Sequence, residues 1–143
     1  FLTDGLVLYD INDNGQRRNW EVREGGTLPD IPMVVLINEN SASASEVLAG
    51  ALQDHHRALL IGTNSFGKGS VNILRPLSNG GGLYMTVGHW YTPSGRLIQK
   101  DGIVPDIEVI DSNRRDADVA QLRRAIEELE QITGIDTTAG RRS

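Results

Sequence analysis

The chain has 143 residues, with 14 Lys and Arg against 19 Asp and Glu and a formal net charge of −5; this is one domain's worth of polypeptide, and its negative balance repels phosphate backbones and excludes nucleic acid as a general partner. Its 38% apolar and 23% charged residues suit a packed core rather than disorder. The absence of cysteine excludes disulfide frameworks, thiol nucleophiles and cysteine-ligated zinc; no apolar run reaches the roughly 18 residues of a membrane span, and the opening Phe1-Leu2-Thr3-Asp4-Gly5 lacks the features of a signal peptide.

Gly5 to Asp10 and Arg18 to Arg23 read as two short strands joined through Ile11-Asn12-Asp13-Asn14-Gly15, whose Asn-Gly pair is a strong hairpin signal. After Gly25-Gly26, Pro29 and Pro32, the run Met33-Val34-Val35-Leu36-Ile37 is continuous and apolar, as expected of a central strand buried on both faces. Asn38-Glu39-Asn40 leads directly into Ser41 to Leu52, where alanines and the apolar residues Val47, Leu48, Ala51 and Leu52 predict a helix with one buried face. Ala58 to Gly62 is a second apolar strand, so the strand, helix, strand order predicts an α/β layout with a parallel pair. A glycine-spaced loop, Asn64 to Gly69, precedes a hairpin of Val71 to Leu77 and Leu83 to Tyr91 about Asn79-Gly80-Gly81-Gly82. Turns at Thr92 to Arg96 and Asp101 to Asp106 lead to a short strand, Ile107 to Ile110. Val119, Leu122, Ile126, Leu129 and Ile132 recur at helical spacing and predict an amphipathic helix over 116–133 whose apolar face packs. Thr137 to Ser143 read as a frayed tail.

Chemistry is expected first at the strand-to-helix junction, because a serine at a helix start sits beside unpaired N–H groups and a positive dipole end that suit an oxyanion. By pattern alone a structural role outweighs catalysis there: Ser43-Ala44-Ser45-Glu46 fits a capping box, and Ser41 can cap by itself. Lys68, between Gly67 and Gly69, is the second candidate, since flanking glycines let the backbone approach another group closely. Gly62 and Gly67-Lys68 have phosphate-loop spacing, but Gly69 stands where Ser or Thr would hold magnesium and a strand-like run follows instead of a helix. Asp54-His55-His56 is a weak metal motif and reads instead as a solvated helix end, with Arg57 or a charged histidine suiting the dipole. His89, beside Trp90 and Tyr91 in an alternating strand, is assigned to packing rather than to a Ser-His-Asp triad.

Five blocks in order carry a resemblance: Asn38-Glu39-Asn40-Ser41-Ala42-Ser43-Ala44-Ser45-Glu46, Ala49-Gly50-Ala51-Leu52-Gln53-Asp54-His55, Phe66-Gly67-Lys68-Gly69-Ser70-Val71, Tyr91-Thr92-Pro93-Ser94-Gly95-Arg96 and Gly102-Ile103-Val104-Pro105-Asp106. Over roughly residues 5–110 the chain resembles the carboxyl-terminal processing peptidases, also called tail-specific proteases. The resemblance implies a crotonase/ClpP-like α/β core and a serine endopeptidase that cleaves protein or peptide substrates near their carboxyl termini, outside the cytoplasm, without metal or cofactor. It puts the nucleophile on Ser43 and the lysine base on Lys68, both present.

A free lysine has a pKa near 10.4, so a lysine base must be desolvated or held near positive potential; the helix start and Phe66 are expected to do this. Neutral Lys68 would take the Ser43 hydroxyl proton during attack and return it to the leaving amine, with the Ala44 backbone N–H holding the oxyanion. Two departures stand out. The family's glutamine four residues after the lysine is Asn72, one methylene shorter. The family's glycine-rich turn carrying a second oxyanion amide and its PDZ module have no counterpart, since Gly25-Gly26 lies between a hairpin and a strand. Residues 1–143 are therefore expected to be the carboxyl-terminal part of a catalytic domain, with 111–143 as its last helix and tail, inactive alone and prone to self-association through uncovered strands. The rival readings are a ligand carrier of the retinoid-binding kind on the same core and an assembly module.

Overall fold

The structure, a computed structural model, describes residues 1–110 and 114–135; the expected tail at Thr137 to Ser143 lies outside them. Two sheets hold the described chain. The first is antiparallel, in the order β2 (Arg17–Glu21), β1 (Leu6–Asn12), β6 (Gly82–Tyr91), β5 (Ser70–Pro76), and the second is parallel, in the order β3 (Val34–Ile37), β4 (Leu59–Gly62), β7 (Ile107–Glu108). Helix α1 (Ala44–Asp54) connects β3 to β4, as a parallel pair requires. Helix α2 (Arg114–Thr133) closes the described chain and packs on β3 and β4.

Local chemistry explains the turns. The Asn12 side-chain oxygen accepts the N–H groups of Asn14 and Gln16, 3.0 and 2.9 Å away, and folds the first hairpin around Gly15. The core is the space between α1 and the strands, filled by Ile37, Ala49, Leu60, Ile98 and Ile103, with Trp90 of the antiparallel sheet packed against it.

Two expectations change. Met33–Ile37 was the expected central strand, but β3 is an edge of the parallel sheet, and Leu36 is 43% exposed. The central strand is β4, paired with β3 and β7 on its two sides, and its Leu60 and Ile61 are fully buried because α1 and α2 both pack on it. The last helix exists, but it buries another stripe: Gln121, Ala125 and Glu128 are buried, whereas Val119, Leu122, Ile126 and Ile132 are exposed and Leu129 is half-buried. Small Ala125 lets the helix lie close to the sheet, and Gln121 donates to the Val109 carbonyl at 3.4 Å. Val119, Leu122 and Ile126 therefore lie on the outer side of the helix, whereas Ile132 borders a cavity with Met33 and Leu59.

The end of α1 is fastened rather than solvated. Asp54 forms an ion pair with Arg96 and accepts the Ser94 N–H at 2.8 Å, Arg96 also donates to Gln53 at 2.8 Å, and His55 bonds to the Leu6 carbonyl at 2.8 Å. Gln53 reaches on to the Val104 carbonyl and to Asp106, whose other carboxylate oxygen accepts the Leu60 N–H at 2.7 Å. Burial pushes the Asp54 carboxyl up, but hydrogen bonds from Thr92 and Ser94 and the Arg96 guanidinium outweigh it and hold the carboxyl below its ordinary value. A depressed carboxylate pKa adds stability above the unfolded value of about 3.9, and that stability is lost as pH falls through the folded value. Asp54→Asn is expected to cost about 1 to 2 kcal/mol at pH 7, partly screened because Arg96 reaches solvent. The gap from the parent should close below pH 4, as followed by thermal unfolding across pH; a gap that stays constant into acid would contradict the ion-pair assignment.

Candidate active site

The junction between β3 and α1 is organised by one carboxylate. Glu46, fully buried in the first turn of α1, accepts four hydrogen bonds. Its Oε2 takes the backbone N–H of Ser43 at 2.7 Å and of Lys68 at 2.9 Å; its Oε1 takes the Ser65 hydroxyl and the Gly67 N–H, both at 2.6 Å. Because Ser43 and Lys68 donate to the same oxygen, their amide nitrogens lie no further apart than those two bonds together allow. The sequence pattern foresaw the local limb as a capping box but gave no sign of the limb that crosses to the glycine loop. The N–H of Glu46 is taken by the Ser43 carbonyl at 3.0 Å.

The loop is held from its other side as well. The Ser65 hydroxyl accepts the Ile103 N–H at 2.7 Å while donating to Glu46, and the Phe66 N–H donates to the Ser41 carbonyl at 2.9 Å. Gly67 has φ +84, and a Cβ there would meet the Lys100 carbonyl oxygen at 2.8 Å; at Gly69 a Cβ would lie 2.3 Å from the Gln99 nitrogen. The glycines on either side of Lys68 are thus required by close backbone approach.

Three serines compete at the junction, and geometry separates them. The Ser41 hydroxyl accepts the Asn38 N–H at 3.1 Å, and the Ser45 hydroxyl donates to the Ala42 carbonyl at 2.7 Å, so both serve local turns. Ser43 alone of the three has a positive φ, 58° with ψ −114°, a conformation that costs a non-glycine residue free energy and recurs where a strand turns sharply into a helix to present a side chain. It is half-buried, and exposed Ala44 follows as the first residue of α1.

Other expectations are adjusted. Phe66 is 63% exposed and the Lys68 side chain is exposed, so the described residues do not supply the cover expected over the lysine. Asn72 directs its amide elsewhere: it donates to the Ser70 hydroxyl at 2.9 Å and accepts from Thr86 at 2.7 Å. A register shift between Val71 and Asn72 in the pairing of β5 with β6 accompanies that orientation. Lys68 leads into β5, not into a helix, which removes the anion-binding helix start that a phosphate loop needs. His89 is half-buried in β6, opposite Ser70 and Ile11. Among the described residues no group of three or more His, Asp and Glu is placed to hold a metal ion. Ser65, Asp54 and Arg96 escaped sequence reasoning as positioning residues; the only signal was their place inside or beside the quoted blocks.

Glu46→Gln is expected to turn an amide NH2 toward groups that are themselves donors, at a cost of about 2 to 4 kcal/mol. Denaturant unfolding measures the loss, and amide exchange at Gly67 and Lys68 should accelerate. Unchanged stability with both amides still protected would mean that the carboxylate does not hold the loop.

The comparisons with known proteins agree with this layout. Residues 1–109 match the family model described as peptidase family S41. The chain is 50% identical over 113 residues to a carboxy-terminal-processing protease of Bartonella bacilliformis, covering 76% of this chain and 25% of that protein. It is 43% identical over 111 residues to a carboxyl-terminal-processing protease of Synechocystis, covering 78% and 26%. Among solved structures, a photosystem II D1 C-terminal processing protease superposes with a TM-score of 0.74 at 35% identity, over 87% of this chain and 32% of that one. The chain spans about a quarter of the length of these curated relatives.

Proposed function

Because the chain belongs to peptidase family S41, we propose that it is the part of a C-terminal processing serine endopeptidase that carries nucleophile and base, Ser43 and Lys68. The observation that carries this reading is the Glu46 clamp, which ties the backbones of those two residues to one oxygen, together with the strained φ found at Ser43 and not at Ser41 or Ser45. Lys68 removes the hydroxyl proton of Ser43 as the oxygen attacks a peptide carbonyl, and passes that proton to the departing amine; water then hydrolyses the acyl ester. The N–H of Ala44, at the positive end of α1, faces the developing oxyanion.

The chain is read as the carboxyl-terminal part of a catalytic domain with a crotonase/ClpP-like core. Supporting this are the unpaired outer edge of β3, exposed Leu36, and the outward apolar stripe of α2, which further polypeptide would cover. Such cover would also desolvate Lys68, as a lysine base requires. The substrates proposed are proteins cleaved near their carboxyl termini, in an extracytoplasmic or organelle compartment, as the chloroplastic relatives suggest. Among the described residues no helix is long and apolar enough to cross a membrane.

In a catalytic domain of the relatives' full length carrying these residues, Ser43→Ala and Lys68→Ala are each expected to abolish cleavage of an unfolded protein, because nucleophile and base act as a unit. Retained activity in either would sink the dyad. Asn72→Gln should leave the rate unchanged or raise it, whereas Asn72→Ala should lower it modestly; a large loss with glutamine would show that the site uses Asn72 in its own geometry.

The 143 residues alone are expected to cleave little and to self-associate. The causes proposed are the outer edge of β3, which no described strand pairs, and an oxyanion site in which only the Ala44 N–H is assigned, the loss of one such donor costing about 100- to 1,000-fold. Light scattering over a dilution series, with cleavage assayed on the same samples, checks both; a monomer cleaving at the full-length rate would overturn the partial-domain reading.

A further inference from the structure

Strand β5 begins two residues after Lys68 and forms an outer edge of the antiparallel sheet. Its backbone alternation can be read from the bonds at its two ends. The Trp90 N–H donates to the Gly69 carbonyl at 2.7 Å, and the Leu77 N–H donates to the Gly81 carbonyl at 2.8 Å. The register shift between Val71 and Asn72 leaves Val87 of β6 as the extra residue, so the alternation of β5 itself is unbroken and Val71, Ile73 and Arg75, odd-numbered like the two end positions, also turn their backbone groups toward β6. Ser70, Asn72 and Leu74 turn theirs outward. The next outward position is Pro76, which has no N–H to offer. Among the described residues no strand pairs with this edge, which presents three donors between the lysine and a proline; the Ser70 carbonyl beside them accepts from the Asn72 side-chain amide at 3.4 Å.

This edge carries few of the devices that keep strands apart. Beta strand β2, the opposite edge of the same sheet, is fully exposed and bears Arg17, Arg18 and Glu21, whereas β5 has Arg75 alone before its closing proline. Its side chains are also prepared on one face. Val71 and Ile73, with Val87 from β6, line a cavity of about 760 Å³ whose polar rim includes Asp10, Asn12 and Arg18.

We propose that an extended polypeptide binds by adding as a fifth strand to the free edge of β5, taking hydrogen bonds from the N–H groups of Ser70, Asn72 and Leu74. Side chains of that strand on the cavity face lie beside Val71 and Ile73 and are selected for apolar character, while specificity on the other face is weak. Continuity with Lys68 identifies the occupant as unfolded, proline-free substrate rather than a folded partner, since strand addition needs an extended backbone. Three outward donors at alternate positions give a short docking site of about five residues. The inference rests on the peptidase reading for the identity of the ligand, but not for the binding itself.

The test uses the 143-residue chain with Ser43→Ala and, as probe, a ten-residue peptide of alternating valine and threonine with a lysine at each end. Amide exchange by NMR is expected to slow at Ser70, Asn72 and Leu74 when the peptide is added and to stay unchanged at Val71 and Ile73. Leu74→Pro removes one outward donor and is expected to weaken binding about three- to tenfold, whereas Leu74→Ala, which keeps the N–H, binds like the parent. Protection of β2 or β3 amides in place of β5, no protection at all, or equal affinity of the two Leu74 variants would overturn the proposal. Should Leu74→Pro fail to fold, the protection pattern in the parent still decides. Neither readout involves cleavage, so a failed Ser43 and Lys68 assignment and a failed docking edge are told apart.

Discussion

A single buried carboxylate, that of Glu46, holds the arrangement on which the rest depends. Taking a carboxylate out of water is costly unless its lone pairs are filled, and here four donors fill them from two directions: the start of α1 and the loop before β5. The consequence is mechanical. The segment that turns a strand into a helix and the segment that carries a lysine cannot move apart without exposing an unsatisfied charge in the core. Three of the donors are backbone N–H groups, so the clamp fixes main chain and leaves the side chains of Ser43 and Lys68 outside its bonds.

Around this clamp the two sheets have different duties. The parallel sheet and α1 form a rigid platform through Leu60, Ile61 and Ile103, all fully buried. Asp106 pins β4 through the Leu60 N–H, and the Asp54, Arg96 and Gln53 group fastens the far end of α1 to the turn after β6. The antiparallel sheet supplies the rim, where β5 leaves the loop and runs outward. Its pairing with β6 shifts register at Val71 and Asn72, where Asn72 turns to Ser70 and Thr86. That is a local reason for the asparagine's present orientation: its short side chain finds both partners within its own hairpin.

What is uncovered is as informative as what is packed. Leu36 on β3, Val119, Leu122 and Ile126 of α2 and the ring of Phe66 share one feature: a large part of their apolar surface is exposed among the described residues. The chain matches about a quarter of its curated relatives' length, and under the proposed reading one cover would serve both needs, since a lysine acting as base requires the same dryness that the apolar groups do.

The sequence by itself determined the element order, the hairpin turns, the parallel strand, helix, strand unit and the residues able to carry chemistry, because these depend on short-range patterns: Asn-Gly at a turn, an apolar run, helical spacing after Ser41. It also offered three candidate serines at the junction, of which the family resemblance pointed to Ser43. Which strand is central and which face of α2 is buried were decided only by tertiary structure. An apolar run such as Met33 to Ile37 reads alike whether it has one neighbour or two, and helical spacing marks an apolar stripe without saying what meets it. The reach of Glu46 across to Lys68, and of Asp54 to Arg96, likewise lay beyond the sequence. Hydrogen bonds between residues 22 and 42 positions apart exist only after the chain has closed those loops and brought the donors to a buried acceptor whose charge requires them.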